Sequence, residues 1–487
     1  MISTLLFIIA GLWICRIIVN ISSYIQLWYV KEYRPDRMLI HLKRTAQGKW
    51  IYFPKWKLPP LSIKTFVLAI LLTGTEILLF LLLPYHVLIR LAIVDLVLFP
   101  VSFLYVAFLR IPTLLYHRYK IQQARKILVS HKWKSVIGIT GSFGKTSTKE
   151  FLSTILGSKY SVLKTQLSKN SAIGISETVL SQLQKSHEVF VVEMGAYKIG
   201  EIAEMTQLVR PSVGIITAIN AQHQDLFGSI ETTMKAKYEL LAGLYGKRIA
   251  VVNADNEYSH TMGTWAKRDG CDVWFVTKDK KLHPEAQSWI EDSNSNQTAC
   301  TFTLHYKNHM KRMTIPIKGE HFVINIALAA VAAIAAGMTF DEVCTAAQTI
   351  QSVDRVMQLS TGGHGELLIN DTFNNNPDAA IAAIRYLEKF KKKKIVVFQP
   401  MIELGAYTDS GHEAVGKIAG NVCDEIILTN SNFSKGFIRG VREANVHKNV
   451  HIFSPEKAAS YIRSIIHKDD AILFKGKEAE YVWKLLQ

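Results

Sequence analysis

Apolar positions crowd the first part of the chain and then change their rhythm. "FVLAILLTGTEILLFLLL" (66–83) and "VLIRLAIVDLVLFPVSFLYVAFL" (87–109) are each long enough to cross a bilayer as a helix. A third apolar run opens the chain, "MISTLLFIIAGLWICRIIVNISSYI". No basic segment precedes it and Arg16 follows its apolar stretch, so it reads as a retained anchor rather than a cleaved signal. Arg16 is expected near the inner end, snorkelling into the headgroups. From Ser135 onward, short apolar runs alternate with helical segments. "SVIGIT", "EVFVVEMG", "SVGIIT", "RIAVVNAD" and "DVWFVT" read as buried strands, and "KTSTKEFLSTIL" as a helix. That alternation predicts an α/β fold with a largely parallel sheet.

Composition sharpens this division. A chain of 487 residues predicts two or three domains, and its 49% of hydrophobic residues is concentrated at the start. The first 130 residues hold 16 Lys and Arg against 4 Asp and Glu, which leaves only +5 of the net +17 for the rest. The basicity therefore belongs to membrane-flanking segments, not to a nucleic-acid surface. The loop Lys31–Lys64 and the segment from Arg110 through Lys126 are cytoplasmic by the positive-inside rule. The expected topology is N-terminus outside, "PYH" (84–86) as an external turn, and everything after Arg110 in the cytosol. Trp50, Tyr52, Phe53 and Trp56 stand among Lys49, Lys55 and Lys57, a mixture suited to a headgroup layer. The five cysteines are scattered and form neither a C-x-x-C pair nor a zinc signature.

The chemistry begins at "VIGITGSFGKTSTKEFLSTIL" (136–156). Gly144, Lys145 and Thr146 fit the end of the phosphate-loop pattern G-x-x-x-x-G-K-[ST], but Ile139 stands where its first glycine belongs. Lys-Thr directly after glycine, between a strand and a helix, still predicts a phosphate site. Backbone N–H groups and the helix dipole would face the anion, with Lys145 adding a point charge. Glu193 ends an apolar strand, where a carboxylate is costly unless it serves a metal or a hydrogen bond. Beside a phosphate loop, Mg²⁺ is the expected job.

"TGSFGKTS", "VVEMGA", "ITAINAQHQDLFGS", "KAKYE", "NAD", "GEHFVINIALAA", Asp354-Arg355, "INDTFNNNPDA" and "MIELG…GHEAVG" occur in the order seen in the Mur ligase family. Over about 350 residues the chain resembles that family, most of all its D-alanyl-D-alanine-adding branch. The resemblance accounts for the loop, since that family's loop starts with Thr-Gly. After the membrane region (1–129) read from the apolar runs, it implies a central ATP-binding domain (130–357) and a C-terminal Rossmann-like domain (358–487). It also implies ATP-dependent amide ligation through an acyl phosphate. Thr140, Gly141, Ser142, Gly144, Lys145, Thr146 and Ser147 would hold the phosphates of ATP. Thr146, Glu193, His223 and Lys237 would serve two Mg²⁺ ions, Lys237 as a lysine carbamylated by CO₂. Asn325 would contact adenine, and Arg355 and Asp371 would reach ATP from the C-terminal side. Lys145, Lys237, His223 and Arg355 form the expected catalytic set.

Several positions depart from the family pattern. Asp354 stands where glycine usually precedes the arginine, Phe373 replaces a tyrosine, and Lys477 replaces a serine after Lys475-Gly476. Gln399-Pro400 stands where glycine and an acid are common, and "LSKNSAIG" keeps Asn170 but loses another asparagine. The expectation is that the ATP chemistry survives while the amine pocket is altered. Where soluble relatives carry a uridine-diphosphate domain, this chain carries membrane segments. The reading is a multi-pass cell-membrane ligase of cell-wall biosynthesis with cytoplasmic catalytic domains. Its carboxylate acceptor would be a lipid-linked or UDP-linked muramyl peptide, its amine an amino acid or dipeptide, and its partners the bilayer and other membrane biosynthetic proteins. A ligase for a poly-amino-acid or capsule polymer is the alternative. A transporter ATPase lacks support without an LSGGQ-like signature, and an inactive scaffold would not need the whole phosphate and metal set.

Overall fold

The computed structural model describes every residue except 1, 45–50, 53, 55, 167–168, 221–226 and 403. Lys49, Trp50, Phe53, Lys55 and His223 thus lie outside the described residues. The chain forms two compact units, Met1–Lys120 and Ile121–Gln487. The expected boundary at 129 falls within one continuous helix, Val87–Ser130, so no loop marks the join.

The first unit contains helices Ile2–Val30, Pro35–Arg44 and Ile63–Leu82 and the start of Val87–Ser130. Three helices are long and apolar enough to cross a membrane, over Thr4–Val30, Ile63–Leu82 and Val87–Ser130. Ser62 caps Ile63–Leu82 in a reciprocal capping box with Thr65, which sets where that helix starts. Tyr24, Ile25, Trp28, Leu68, Leu72 and Leu98 pack between the helices, and the Trp28 indole N–H donates to the buried Ser102 hydroxyl at 2.9 Å.

Arg16 corrects its expectation. It lies near the middle of a 29-residue helix and its Nε is 2.7 Å from Asp95 Oδ2. Asn20 donates to Asp95 Oδ1 at 2.8 Å and Trp13 to Oδ2 at 3.3 Å, while the Arg16 guanidinium also donates to the Tyr52 carbonyl at 2.9 Å. In an apolar slab a charge that finds an opposite charge and hydrogen bonds need not reach the headgroups.

The second unit holds two sheets. The first comprises β1 (Ser135–Thr140), β2 (Val162–Lys164), β3 (Val189–Glu193), β4 (Val213–Ile216), β5 (Ile249–Asn253), β6 (Asp272–Thr277), β7 (Ser288–Ser295), β8 (Cys300–Tyr306) and β9 (His309–Ile315). Their order is β2-β3-β1-β4-β5-β6-β7-β8-β9. Strands β1–β6 are parallel, and β1 and β3–β5 are buried throughout, as their continuous apolar runs require. β7–β9 form an antiparallel extension that the strand reading missed, although "CTFTLHY" alternates buried and half-buried positions along β8. Helix Val323–Ala335 is buried almost throughout and packs against helix Lys145–Gly157 and this sheet.

The second sheet comprises β10 (Gln358–Thr361), β11 (Leu367–Asp371), β12 (Lys394–Phe398), β13 (Glu425–Leu428), β14 (Val450–Ile452) and β15 (Ala471–Lys475), ordered β10-β11-β15-β12-β13-β14. Only β10 is antiparallel to its neighbour. β15 inserts between β11 and β12, so the chain's last strand lies in the middle of this domain's core.

Candidate active site

β1 delivers the chain to Thr140, whose hydroxyl donates to the Met194 carbonyl at 2.8 Å. Gly141 follows against β4's exit: a Cβ there would meet Thr217 Oγ1 at 2.0 Å, so only glycine lets the backbone pass. Ser142 N–H donates to the Ala218 carbonyl at 2.6 Å. Gly144 then turns with φ +81°, in the left-handed region glycine favours, and starts helix Lys145–Gly157 without a side-chain cap. The first N–H groups of that helix therefore open into the site, the arrangement an anion requires. Asn325 lies beside this turn, its Oδ1 2.7 Å from where a Gly144 Cβ would stand.

Two lysines converge on the loop. Lys145 curls back, its Nζ donating to the Gly141 carbonyl at 2.8 Å and to that of Ser142 at 3.2 Å. Lys237, from helix Ile230–Ala242, is buried and donates to the same Gly141 oxygen at 3.0 Å. Burial pushes the Lys145 pKa down, with Glu193 acting in the opposite direction. Lys237 is pushed well below the ordinary lysine range by burial and then by the charge of Lys145.

Glu193 closes β3, buried, and is held at both oxygens. Thr146 Oγ1 donates to Oε2 at 3.0 Å and Asn170 Nδ2 to Oε1 at 3.2 Å. Magnesium at 2.0–2.1 Å from octahedral oxygens places neighbouring ligands about 2.9 Å apart. The Thr146–Glu193 spacing fits two adjacent positions of such a shell, and the uncapped helix N-terminus beside it fits a phosphate. Lys149, wholly buried one turn after Lys145, brings its ammonium to 3.5 Å from Glu193 Oε2 and 3.2 Å from Glu150. Sequence reasoning passed over Lys149. Its signal was its place four residues after Lys145, on the helix face that also buries Phe151 and Leu152.

Thr140, Gly141, Ser142, Gly144, Lys145, Thr146, Ser147, Glu193, Lys237 and Asn325 thus gather around one loop. Arg355 and Asp371 make their ion pairs elsewhere, on the C-terminal side. Arg355, at φ +57°, approaches Glu480 at 3.4 Å, and Asp371 forms a buried pair with Lys475 at 2.5 Å. One link ties this side to the loop: Asn220 Nδ2 donates to Asp378 Oδ2 at 2.7 Å, while Asn220 N–H donates to Ser142 Oγ at 3.2 Å.

Comparison with known proteins places this geometry. Residues 139–334 match the Mur ligase middle domain and residues 355–478 the Mur ligase glutamate ligase domain. The chain belongs to the Mur ligase family, whose members are ATP-dependent ligases that form amide bonds. Among similar proteins are UDP-N-acetylmuramoyl-tripeptide–D-alanyl-D-alanine ligases. That of Buchnera aphidicola is 27% identical over 72% of this chain and 76% of its own, and that of Escherichia coli 30% over 58% and 62%. That of Bacillus subtilis is 28% identical over 73% and 76%. The fold is shared with MurF of Acinetobacter baumannii (TM-score 0.66, 24% identity, 74% of this chain and 77% of that one). It is shared too with the Thermotoga maritima MurF ligase solved with ADP (TM-score 0.67, 24% identity, 76% and 83%).

Proposed function

We propose that this protein is a membrane-anchored ligase that activates a carboxylate as an acyl phosphate and joins it to an amine during cell-wall precursor synthesis. The Thr146–Glu193 pair beside Lys145 is the observation that carries this reading. When bound, ATP with Mg²⁺ supplies the phosphoryl group that activates the carboxylate. Lys145 meets the charge that gathers on the transferring group, and Thr146 with Glu193 supplies oxygen ligands to a metal. The Lys237 amine, its pKa pushed down by burial and by Lys145, is suited to adding CO₂ in its deprotonated form; the new N–C bond leaves a carbamate and releases a proton. His223 would complete the metal set, and Asn325 would contact the base. Arg355 and Asp371 would come to the nucleotide when the C-terminal domain closes.

The similar proteins are named for a UDP-linked muramyl tripeptide and D-alanyl-D-alanine. A D-alanyl-D-alanine-like dipeptide joined to a muramyl peptide is accordingly the first reaction to test, with a poly-amino-acid or capsule polymer as the second reading. The matched domains begin at residue 139, and the residues before it include three span-capable helices. They support a membrane-held enzyme with cytosolic catalytic domains and an acceptor presented at the bilayer. The test is ADP release by the full-length protein in vesicles. UDP-linked and lipid-linked muramyl peptides and non-muramyl polymer acceptors would be offered with a panel of amino acids and dipeptides, and products identified by mass. Turnover on a muramyl acceptor supports the reading. Turnover confined to a non-muramyl polymer acceptor moves the protein to the second reading.

A further inference from the structure

Away from the phosphate loop, helix Glu257–Arg268 and the turn after β6 bring together His260, His283 and Glu285, with one ligand atom from each lying within 4.8 Å of the others. Glu285 Oε1 is 2.9 Å from His260 Nε2 and 3.6 Å from His283 Nδ1. A tetrahedral Zn²⁺ bound at 2.0–2.2 Å by nitrogen and oxygen sets its ligands about 3.3–3.5 Å apart. The two distances from Glu285 bracket that spacing, and the two imidazole nitrogens lie within 4.8 Å of each other. We propose that His260, His283 and Glu285 form a binding site for a borderline first-row dication such as Zn²⁺.

The surroundings hold the ligands before any ion arrives. Asn256 caps the helix through Ser259 N–H, so His260 sits in a fixed first turn, and its ring packs 5.0 Å from Phe275. The turn bearing His283 is fastened internally. Asp279 accepts from the N–H groups of Lys281 and Leu282, its carbonyl accepts from His283 N–H, and the Lys280 ammonium donates to the carbonyls of Pro284 and Ala286. Two imidazoles and one carboxylate select zinc, cobalt, nickel or copper over magnesium and calcium, which take oxygen shells. Glu285 remains partly exposed, which leaves a water-accessible fourth position. An ion here would pin the 279–286 turn to the helix whose cap, Asn256, also grips both the N–H and the carbonyl of Ile219 at 3.0 Å. The inference is independent of the ligase reading, because it uses none of the phosphate-site residues.

The test uses full-length, chelator-treated protein with excess Mg²⁺ to occupy the phosphate site. Zn²⁺ is titrated calorimetrically into the wild type and into the His260→Ala, His283→Ala and Glu285→Gln variants. The wild type should take up one equivalent saturably and melt at a higher temperature as Zn²⁺ rises. Each variant should bind at least about a hundredfold more weakly, beyond the roughly 10–100-fold cost of losing a mere supporting partner of a metal ligand. X-ray absorption at the zinc edge should report two imidazoles and an oxygen. Variants that melt like the wild type without zinc and bind it equally well would overturn the proposal, as would a wild type with no saturable uptake.

Discussion

Lys145 and Lys237 donate to one and the same carbonyl oxygen, that of Gly141, at 2.8 and 3.0 Å. Burial first, and then the charge of Lys145 beside the same acceptor, push the Lys237 pKa well below the ordinary lysine range. Negative charge, such as a phosphate at the loop or the proposed carbamate on Lys237, would relieve this arrangement.

The first prediction follows from that relief. Lys237→Ala should abolish ADP formation, and a small free carboxylate should restore part of it by standing in for the carbamate. Lys237→Arg should stay inactive, because a guanidinium cannot supply an anionic ligand. Incubation with ¹³C-labelled bicarbonate should give a carbamate carbon signal in the wild type and none in Lys237→Arg. Full activity of the arginine variant would exclude the carbamate.

In the proposed reading, Lys145 and Glu193 act directly on charge at the phosphates. Lys145→Ala and Glu193→Ala should each lower turnover by on the order of a hundredfold or more while leaving the fold intact. Glu193→Gln keeps the shape but loses the anion, so its deficit should shrink as Mg²⁺ is raised. Steady-state ADP release at several Mg²⁺ concentrations, alongside circular dichroism, checks this. Near-normal turnover in either alanine variant would mean that the phosphate site has been misplaced.

The Arg16–Asp95 pair makes a prediction about the N-terminal unit. Asp95→Ala removes the acceptor of Arg16, Asn20 and Trp13 together. Its loss should destabilise the unit by on the order of 1–2 kcal/mol, the scale of polar contacts between membrane helices. Pairing Arg16→Met with Asp95→Leu should recover most of the loss, since no unpaired charge then remains. Unfolding midpoints in detergent would show it, and equal loss in the single and double variants would argue against the pair.

His321 gives a pH dependence. Burial, then the charges of Lys475 and Lys278, push its pKa down to about 3. In the folded protein it stays neutral between about pH 3 and its ordinary value of 6.5, while the unfolded chain binds a proton there. Stability from this group is therefore full above about 6.5 and falls as the pH drops toward 3. The melting temperature should decline more steeply from pH 7 to pH 5 in the wild type than in His321→Gln. Identical slopes would show that His321 is not held neutral.

The sequence by itself determined the elements whose signal is local. The apolar runs at 66–83 and 87–109, the strands β1 and β3–β6, and the glycine turn at Gly144 between strand and helix were all legible. In each, a run of neighbouring residues carries the whole pattern. The family motifs in order also led to Glu193, Lys237 and Asn325, although not to how they meet. Tertiary structure decided what depends on register between distant segments. Arg16 pairs with Asp95 across 79 residues, Lys237 reaches Gly141 across 96, and Asp371 meets Lys475 across 104. It also decided that β7 joins β6 in parallel and carries β8 and β9 antiparallel beyond it, and that the lysine at 149, unremarkable in a helical run, lies buried against Glu193. A charged side chain settles beside whichever partner packing brings within a few ångströms, and no spacing along the chain specifies which partner that will be.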